Sequence, residues 1–240
     1  MLDIQIAVSK INKYATRESG DTVEVVERPL GGFTLMLVDG QGSGRASKLL
    51  SQLVASKVLA LIKDGARDGV AARAAHDYLY LQRAGKVSAT LALCTVDLNT
   101  RTVVLTRNSH CPIAVYGPVP AGLHWLDAEV QPLGLYRNTR PVVEEIELAP
   151  GTCVVTFSDG ILEAGRRAGR DWDVRAALAG LLTPDAAPPG PQALTDRILA
   201  GAMAADQDRP QDDMSVLALS IGEREDAPQI RTLHMRVPAD

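Results

Sequence analysis

Four aspartates stand where apolar runs begin or end, and three of them adjoin a glycine. Asp39 closes "LMLVDG" and Asp159 closes "VVTFSDG". Asp21 follows Ser19-Gly20 and opens "DTVEVVE", and Asp212 precedes an apolar run in "QDDMSVLAL". One Asp beside Gly at a strand end is ordinarily turn chemistry, since its side chain can hydrogen-bond its own backbone. Four such positions point elsewhere. Carboxylates gathered in one place cannot all ionise without a cation between them. Hard oxygen donors, with no His or Cys beside them, select Mg²⁺ or Mn²⁺ over zinc.

Asp39 also leads into "GQGSGRAS", with glycines at 40, 42 and 44. A phosphate-cradling loop is the rival reading. The dinucleotide fingerprint is GxGxxG within a parallel βαβ unit, and here the spacing is GxGxG. No GxxxxGK[ST] motif occurs anywhere in the chain. The metal reading is therefore preferred.

The elements that must position these residues read mainly as strands. Leu2–Val8, Thr22–Glu27, Gly32–Val38, Ala89–Leu98, Thr102–Arg107, Pro112–Gly117, Val142–Leu148, Thr152–Ser158 and Ser215–Ile221 are rich in β-branched residues and bounded by turn formers. "DLNTRT" and "LAPGT" read as turns between strands. Gly44–Lys63 has apolar residues at one-face helical spacing, from Leu49 and Leu50 to Leu61 and Ile62. Asp68–Ala84 follows as a second helix. Two more are expected near Val174–Leu182 and Pro191–Ala205. Runs of strands separated by helix pairs do not make the βαβα alternation of a parallel sheet. The expected class is α+β: an α-β-β-α sandwich of two mainly antiparallel sheets flanked by helix pairs.

A chain of 240 residues, 46% hydrophobic and 22% charged, has the balance of a globular domain. A net charge of -4 with no basic run argues against nucleic acid as a partner. No apolar stretch reaches the roughly 18 residues of a membrane span, and the N-terminus lacks a secretion signal, so a cytoplasmic protein with no membrane partner is expected. Cys94, Cys111 and Cys153 are odd in number and lack CxxC spacing; Cys94 and Cys153 lie in strand-like runs and read as reduced core residues.

Three segments, in order, carry a family resemblance: "SGDTVEVVERPLGGFTLMLVDGQGSGRAS", "FSDGILEAG" and "DDMSVLALSI". They resemble the PPM-type (type 2C) serine/threonine phosphatases. The resemblance is strongest to the SpoIIE-like branch, which includes RsbU and RsbX, and the short single-domain form looks most like the RsbX type. It covers residues 1–222 as one phosphatase domain, with 223–240 as a C-terminal extension, either a strand or an arm.

The resemblance implies two ions, Mn²⁺ or Mg²⁺. Asp39 would bridge them and Gly40 would offer its backbone carbonyl. Asp159 and Asp212 would be ligands, and Asp21 would bind directly or through water. Asp39 and Asp159 would be the catalytic pair. Asp213 ranks second to Asp212, since related enzymes place Asn there. Gly42 and Gly44 would carry the loop past the metals and start the helix. Two such ions lower the pKa of a shared water and offset charge on the phosphoryl oxygens, so no covalent phosphoenzyme is needed.

Gln41 stands where many eukaryotic members have a His acting as general acid, and Gln cannot donate a proton that way. His110, in "RNSHCPIAVYG", reads as a structural strand-end histidine. Arg17 is a candidate for the substrate phosphate. Ser158 reads as a strand-end hydroxyl and Glu163 as a surface residue. The implied substrate is a phosphorylated protein, by resemblance a STAS-domain protein of a stress-response or sigma-factor partner-switching pathway. The alternative is a pseudophosphatase that binds such a partner without turnover. A small-molecule phosphatase is a third reading that no separate recognition segment supports.

Overall fold

The computed structural model describes residues 1–170, 172–184, 186–224 and 230–237. Ten strands form two five-stranded sheets. In chain order they are β1 (Leu2–Ile11), β2 (Asp21–Glu27), β3 (Gly32–Gly40), β4 (Ala89–Asp97), β5 (Thr102–Asn108), β6 (Ile113–Pro118), β7 (Ala121–Leu126), β8 (Val142–Glu147), β9 (Cys153–Phe157) and β10 (Met214–Glu223). One sheet has the order β1-β10-β9-β6-β7 and the other β2-β3-β4-β5-β8. Every pairing is antiparallel. The helices are α1 (Gly44–Lys63), α2 (Asp68–Arg83), α3 (Asp159–Leu162), α4 (Val174–Leu181) and α5 (Pro191–Ala205).

Three apolar layers hold this stack. Leu35, Leu37, Ile113, Val154 and Leu217 fill the space between the sheets. Met36, Val38, Leu91 and Leu93 face the other way and meet Leu50, Val54, Val58 and Ile62 of α1. Val155, Phe157 and Val216 meet Leu178, Leu194 and Ile198 of α4 and α5. Alternate residues of β3 thus face a second sheet and a helix pair, both apolar. That is why its sequence is a continuous apolar run instead of an alternation.

The expected sandwich of antiparallel sheets flanked by helix pairs is the one found. β7 and the short α3 were not anticipated. The "AGLHWL" of β7 has Gly and His inside it, and its residues are mostly half-buried, so its pattern is weak. In α1 the stripe at Leu50, Val54, Val58 and Ile62 is buried, while Leu49 is left exposed. Of the extension 223–240, Glu223 closes β10, residues 230–237 carry neither helix nor strand, and 225–229 and 238–240 lie outside the described residues.

Leu79 of α2 is fully buried and packs against the left-handed Gly134, where an added Cβ would fall 2.5 Å from Leu79 Cδ2. Leu79→Ala should cost about 2–5 kcal/mol, read as a lower denaturant midpoint at unchanged slope.

Candidate active site

Register brings the aspartates together. In the β2–β3 ladder Asp21 lies directly opposite Asp39. In the other sheet β10 pairs with β9 so that Val216 faces Phe157. One step on, Ser158 and Ser215 exchange hydrogen bonds: the Ser158 amide donates to the Ser215 carbonyl, and the Ser215 amide donates to Ser158 Oγ, both at 3.0 Å. Asp159 therefore leaves the end of β9 where Asp212 and Asp213 enter β10. Both pairs of strand ends meet at one rim of the sandwich.

Hydrogen bonds tie the two sheets together there. Ser215 Oγ donates to Asp21 Oδ2 at 2.6 Å. The Gly20 and Lys13 amides donate to Asp213 Oδ2 and Oδ1 at 2.7 and 2.9 Å. Asp213 is thus buried with both carboxylate oxygens occupied by backbone, and it holds the segment before β2 in place. Asp212 accepts from the Asp213 amide at 2.9 Å and is only half-buried. Asp39 and Asp159 are half-buried too. Among the described residues, no side-chain or backbone donor is recorded on the Asp39 carboxylate.

The glycines beside the aspartates are there for space. A Cβ on Gly20 would fall 2.1 Å from Ser47 Oγ, one on Gly40 2.3 Å from the Ser47 carbonyl, and one on Gly160 2.2 Å from the Asp213 carbonyl. None of the three takes a left-handed conformation. Helix α1 approaches through two serines: Ser47 Oγ donates to the Gly40 carbonyl and Ser51 Oγ to the Gly20 carbonyl, each at 2.5 Å. The Gly40 carbonyl keeps a second lone pair. Gly42 and Gly44 serve differently, with φ of 101° and 65° and open space around them. They supply the turn from β3 into α1.

The electrostatics are those of crowded carboxylates. Burial first, then the charges of Asp21, Asp159, Asp212 and Asp213, push Asp39 up to about 9. Burial likewise raises Asp21 to about 7, against the opposing hydrogen bonds of Ser215 and Ser158. Asp159 is raised by burial and by Asp212, while the nearby His110 pulls it down. Burial and the neighbouring ammonium of Lys48 lower Lys10.

The remaining candidates fall around this rim. Arg17 is exposed on the 12–19 loop and lines a cavity beside α1. Gln41 ties the glycine loop to the start of β4: its amide donates to the Ser88 carbonyl at 3.0 Å, and its Oε1 accepts from the Ser88 amide at 2.9 Å. Ser158 is buried and spent on the β9–β10 junction. His110 is exposed but close enough to act on Asp159. All three cysteines are free and buried, with thiols raised well above the usual range, Cys153 to about 12. None of them is set up as a nucleophile. Ser47, Ser51 and Ser215 were not anticipated. Ser51 and Ser215 reach Gly20 and Asp21, far away in the chain, and Ser47 reaches back across the glycine turn to Gly40.

Among the described residues, no three His, Cys, Asp or Glu side chains converge on one point at coordinating distance. The donor set nonetheless fits a hard divalent cation in kind. It is all oxygen, its charges suppress one another's ionisation, and Asp39 has no hydrogen-bond donor of its own.

The fold is that of PP2C phosphatase domains. The PP2C phosphatase domain of SpoIIE from Bacillus subtilis, solved with a fragment of its regulatory domain, superposes with a TM-score of 0.77 at 21% identity, over 93% of this chain and 64% of that one. RsbX, solved in complex with magnesium, gives a TM-score of 0.67 at 14% identity, over 92% of this chain and 100% of that one. Residues 29–222 match the Stage II sporulation protein E (SpoIIE) family, and the chain belongs to that family. The stage II sporulation protein E of Priestia megaterium is 20% identical over 210 residues, covering 85% of this chain and 34% of that protein. The chain thus spans about a third of the length of that curated relative.

The raised carboxylates give a signed expectation. Unfolded, Asp21 and Asp39 would titrate near 3.9. Folded and metal-free, they hold protons up to about 7 and 9. The folded state therefore binds more protons across this window, and its stability falls as pH rises from about 4 to 9. Thermal melts in EDTA should show that decline. Asp39→Asn should flatten it and raise the midpoint at pH 8 by about 2–4 °C or more, the shift that 1 kcal/mol produces at this size.

Proposed function

We propose that this chain is a metal-dependent phosphoprotein phosphatase acting on phosphoserine or phosphothreonine. One observation carries the reading: five aspartates from two sheets share one rim, where burial first and then their mutual repulsion push Asp39 to about 9. A site of no use would not keep so much like charge in one place. Family membership and the shared fold support the same activity.

Asp39, Asp159 and Asp212 would hold Mg²⁺ or Mn²⁺, with the free lone pair of the Gly40 carbonyl beside them. Asp21, pinned by Ser215, would complete the set directly or through water. RsbX, of the same fold, binds magnesium, which supports that choice of ion. The ions would supply Lewis acidity, making hydroxide available near neutral pH and offsetting charge on the phosphoryl group. The chain's own residues do the rest. Asp39 gives up its proton when the site is loaded. Asp213 holds Gly20 and Lys13, and Ser47 holds Gly40, so the strand ends carrying Asp21 and Asp39 stay in place. Arg17, on the loop before Asp21, would be the residue to meet the substrate phosphate. Gln41 cannot act as leaving-group acid, since its Oε1 is occupied by the Ser88 amide and its side chain has no acidic proton.

Asp39, Asp159 and Asp212 lie half-buried at a rim, where an exposed phosphosite on a folded protein could reach them. That suits the STAS-domain partner that the SpoIIE-like resemblance implies.

The test is hydrolysis of p-nitrophenyl phosphate and a phosphoserine peptide with Mn²⁺, Mg²⁺ or EDTA. Activity should require metal and fall on the order of 10²-fold or more in Asp39→Asn. Metal binding without turnover of either substrate or of a phosphorylated STAS domain would favour the pseudophosphatase instead.

A further inference from the structure

Charge is unbalanced on the far side of Asp21. Its carboxylate points to Ser215, but its carbonyl leaves the edge of the sheet, because β2 is an edge strand. Two ammonium groups meet that one oxygen: Lys10 Nζ at 2.5 Å and Lys48 Nζ at 2.8 Å. A neutral carbonyl does not offset two positive charges. Next to it opens a cavity of 370 Å³ whose wall includes Lys10, Arg17, Arg45, Lys48, Glu18 and Leu49. Among the described residues, none of its four cations is in an ion pair, although the chain as a whole carries -4. Arg45 and Lys48 also sit on the first turns of α1, where no acidic residue offsets the helix dipole.

Leu49 adds an apolar wall. The helical periodicity assigns it to the core, yet it is 56% exposed beside this cavity. A cationic floor with an exposed leucine is the surface that an acidic peptide segment requires, with charge to meet a carboxylate and apolar area to meet the backbone and neighbours. Asp21 links the cavity to the carboxylate rim: Lys10 and Lys48 of the cavity wall donate to its carbonyl, and its side chain belongs to the rim. A chain lying across the rim would therefore place residues flanking its phosphosite at this cavity.

We propose that this cavity is a docking subsite for acidic side chains flanking the phosphosite of the protein substrate. It rests on the phosphatase reading above, and the experiment separates the two. Three substrates are compared: p-nitrophenyl phosphate, a phosphoserine peptide flanked by Asp and Glu, and the same peptide flanked by Asn and Gln. Wild type should turn over the acidic peptide with a kcat/KM about fivefold or more above the neutral one, mainly through KM and decreasingly with added salt. Arg45 is exposed, and among the described residues its side chain makes no hydrogen bond or ion pair, so its replacement spares the fold. Arg45→Gln should shrink the preference, Arg45→Glu should abolish or reverse it, and both should leave p-nitrophenyl phosphate turnover unchanged.

Equal kcat/KM for the two peptides, or a preference untouched in Arg45→Glu, would overturn the subsite. So would a cavity that takes inorganic phosphate without distinguishing the peptides, which would assign it to a free anion. If no substrate is turned over at all, the phosphatase reading fails, and the subsite is read by fluorescence anisotropy of the labelled acidic peptide in EDTA. Tighter binding to wild type than to Arg45→Glu would support it, and equal binding would overturn it.

Discussion

Repulsion among carboxylates at one rim of the sandwich governs this structure. Asp21, Asp39, Asp159, Asp212 and Asp213 sit close enough that their charges act on one another, in surroundings dry enough to make that costly. Of the five, Asp213 is the one with both carboxylate oxygens met by backbone amides. The others retain a demand for positive charge, which the proposed divalent cation would meet. Lys10 and Lys48, close by, are turned to the Asp21 carbonyl and do not pair with any of the carboxylates.

The fold is arranged to hold that strain. Two antiparallel registers deliver Asp21 opposite Asp39 in one sheet and Asp159 beside Asp212 in the other. Three apolar layers lock the sheets and helices together, so neither set can retreat. Glycines next to Asp21, Asp39 and Asp159 let neighbouring backbone and Ser47 close to distances no Cβ permits. Side chains at these positions would open the rim and separate the charges.

Much of this was legible in the chain. Apolar runs broken by turn residues exposed the strands, and helical spacing exposed α1 and α2. The α+β sandwich followed from the order of the two kinds of element. The aspartates stood out because they recur at strand ends beside glycine. Their glycines were readable as a sign of something close, but the turn explanation applies only to Gly42 and Gly44. What packs against Gly20 and Gly160 comes from elsewhere in the chain, and what packs against Gly40 is the start of α1 folded back on it. The contacts of Ser215 with Asp21 and of Ser51 with Gly20 likewise join residues that only the fold brings together. Leu49 shows the opposite failure: its spacing fits the buried face of α1, but its neighbours leave it in the open. Periodicity reports which face a residue occupies, not how far the packing extends around it.

The most direct test of the account is the number of protons released when Mg²⁺ or Mn²⁺ binds, measured by calorimetry at pH 7 in buffers of different ionisation enthalpy. If the ion enters the cluster of repelling carboxylates, binding must displace protons from Asp39, and in part from Asp21, so roughly one proton or more should leave per molecule, and Asp39→Asn should release fewer. Metal binding without proton release, or no binding at all, would mean that these aspartates are not a cation site and that their crowding serves the fold alone.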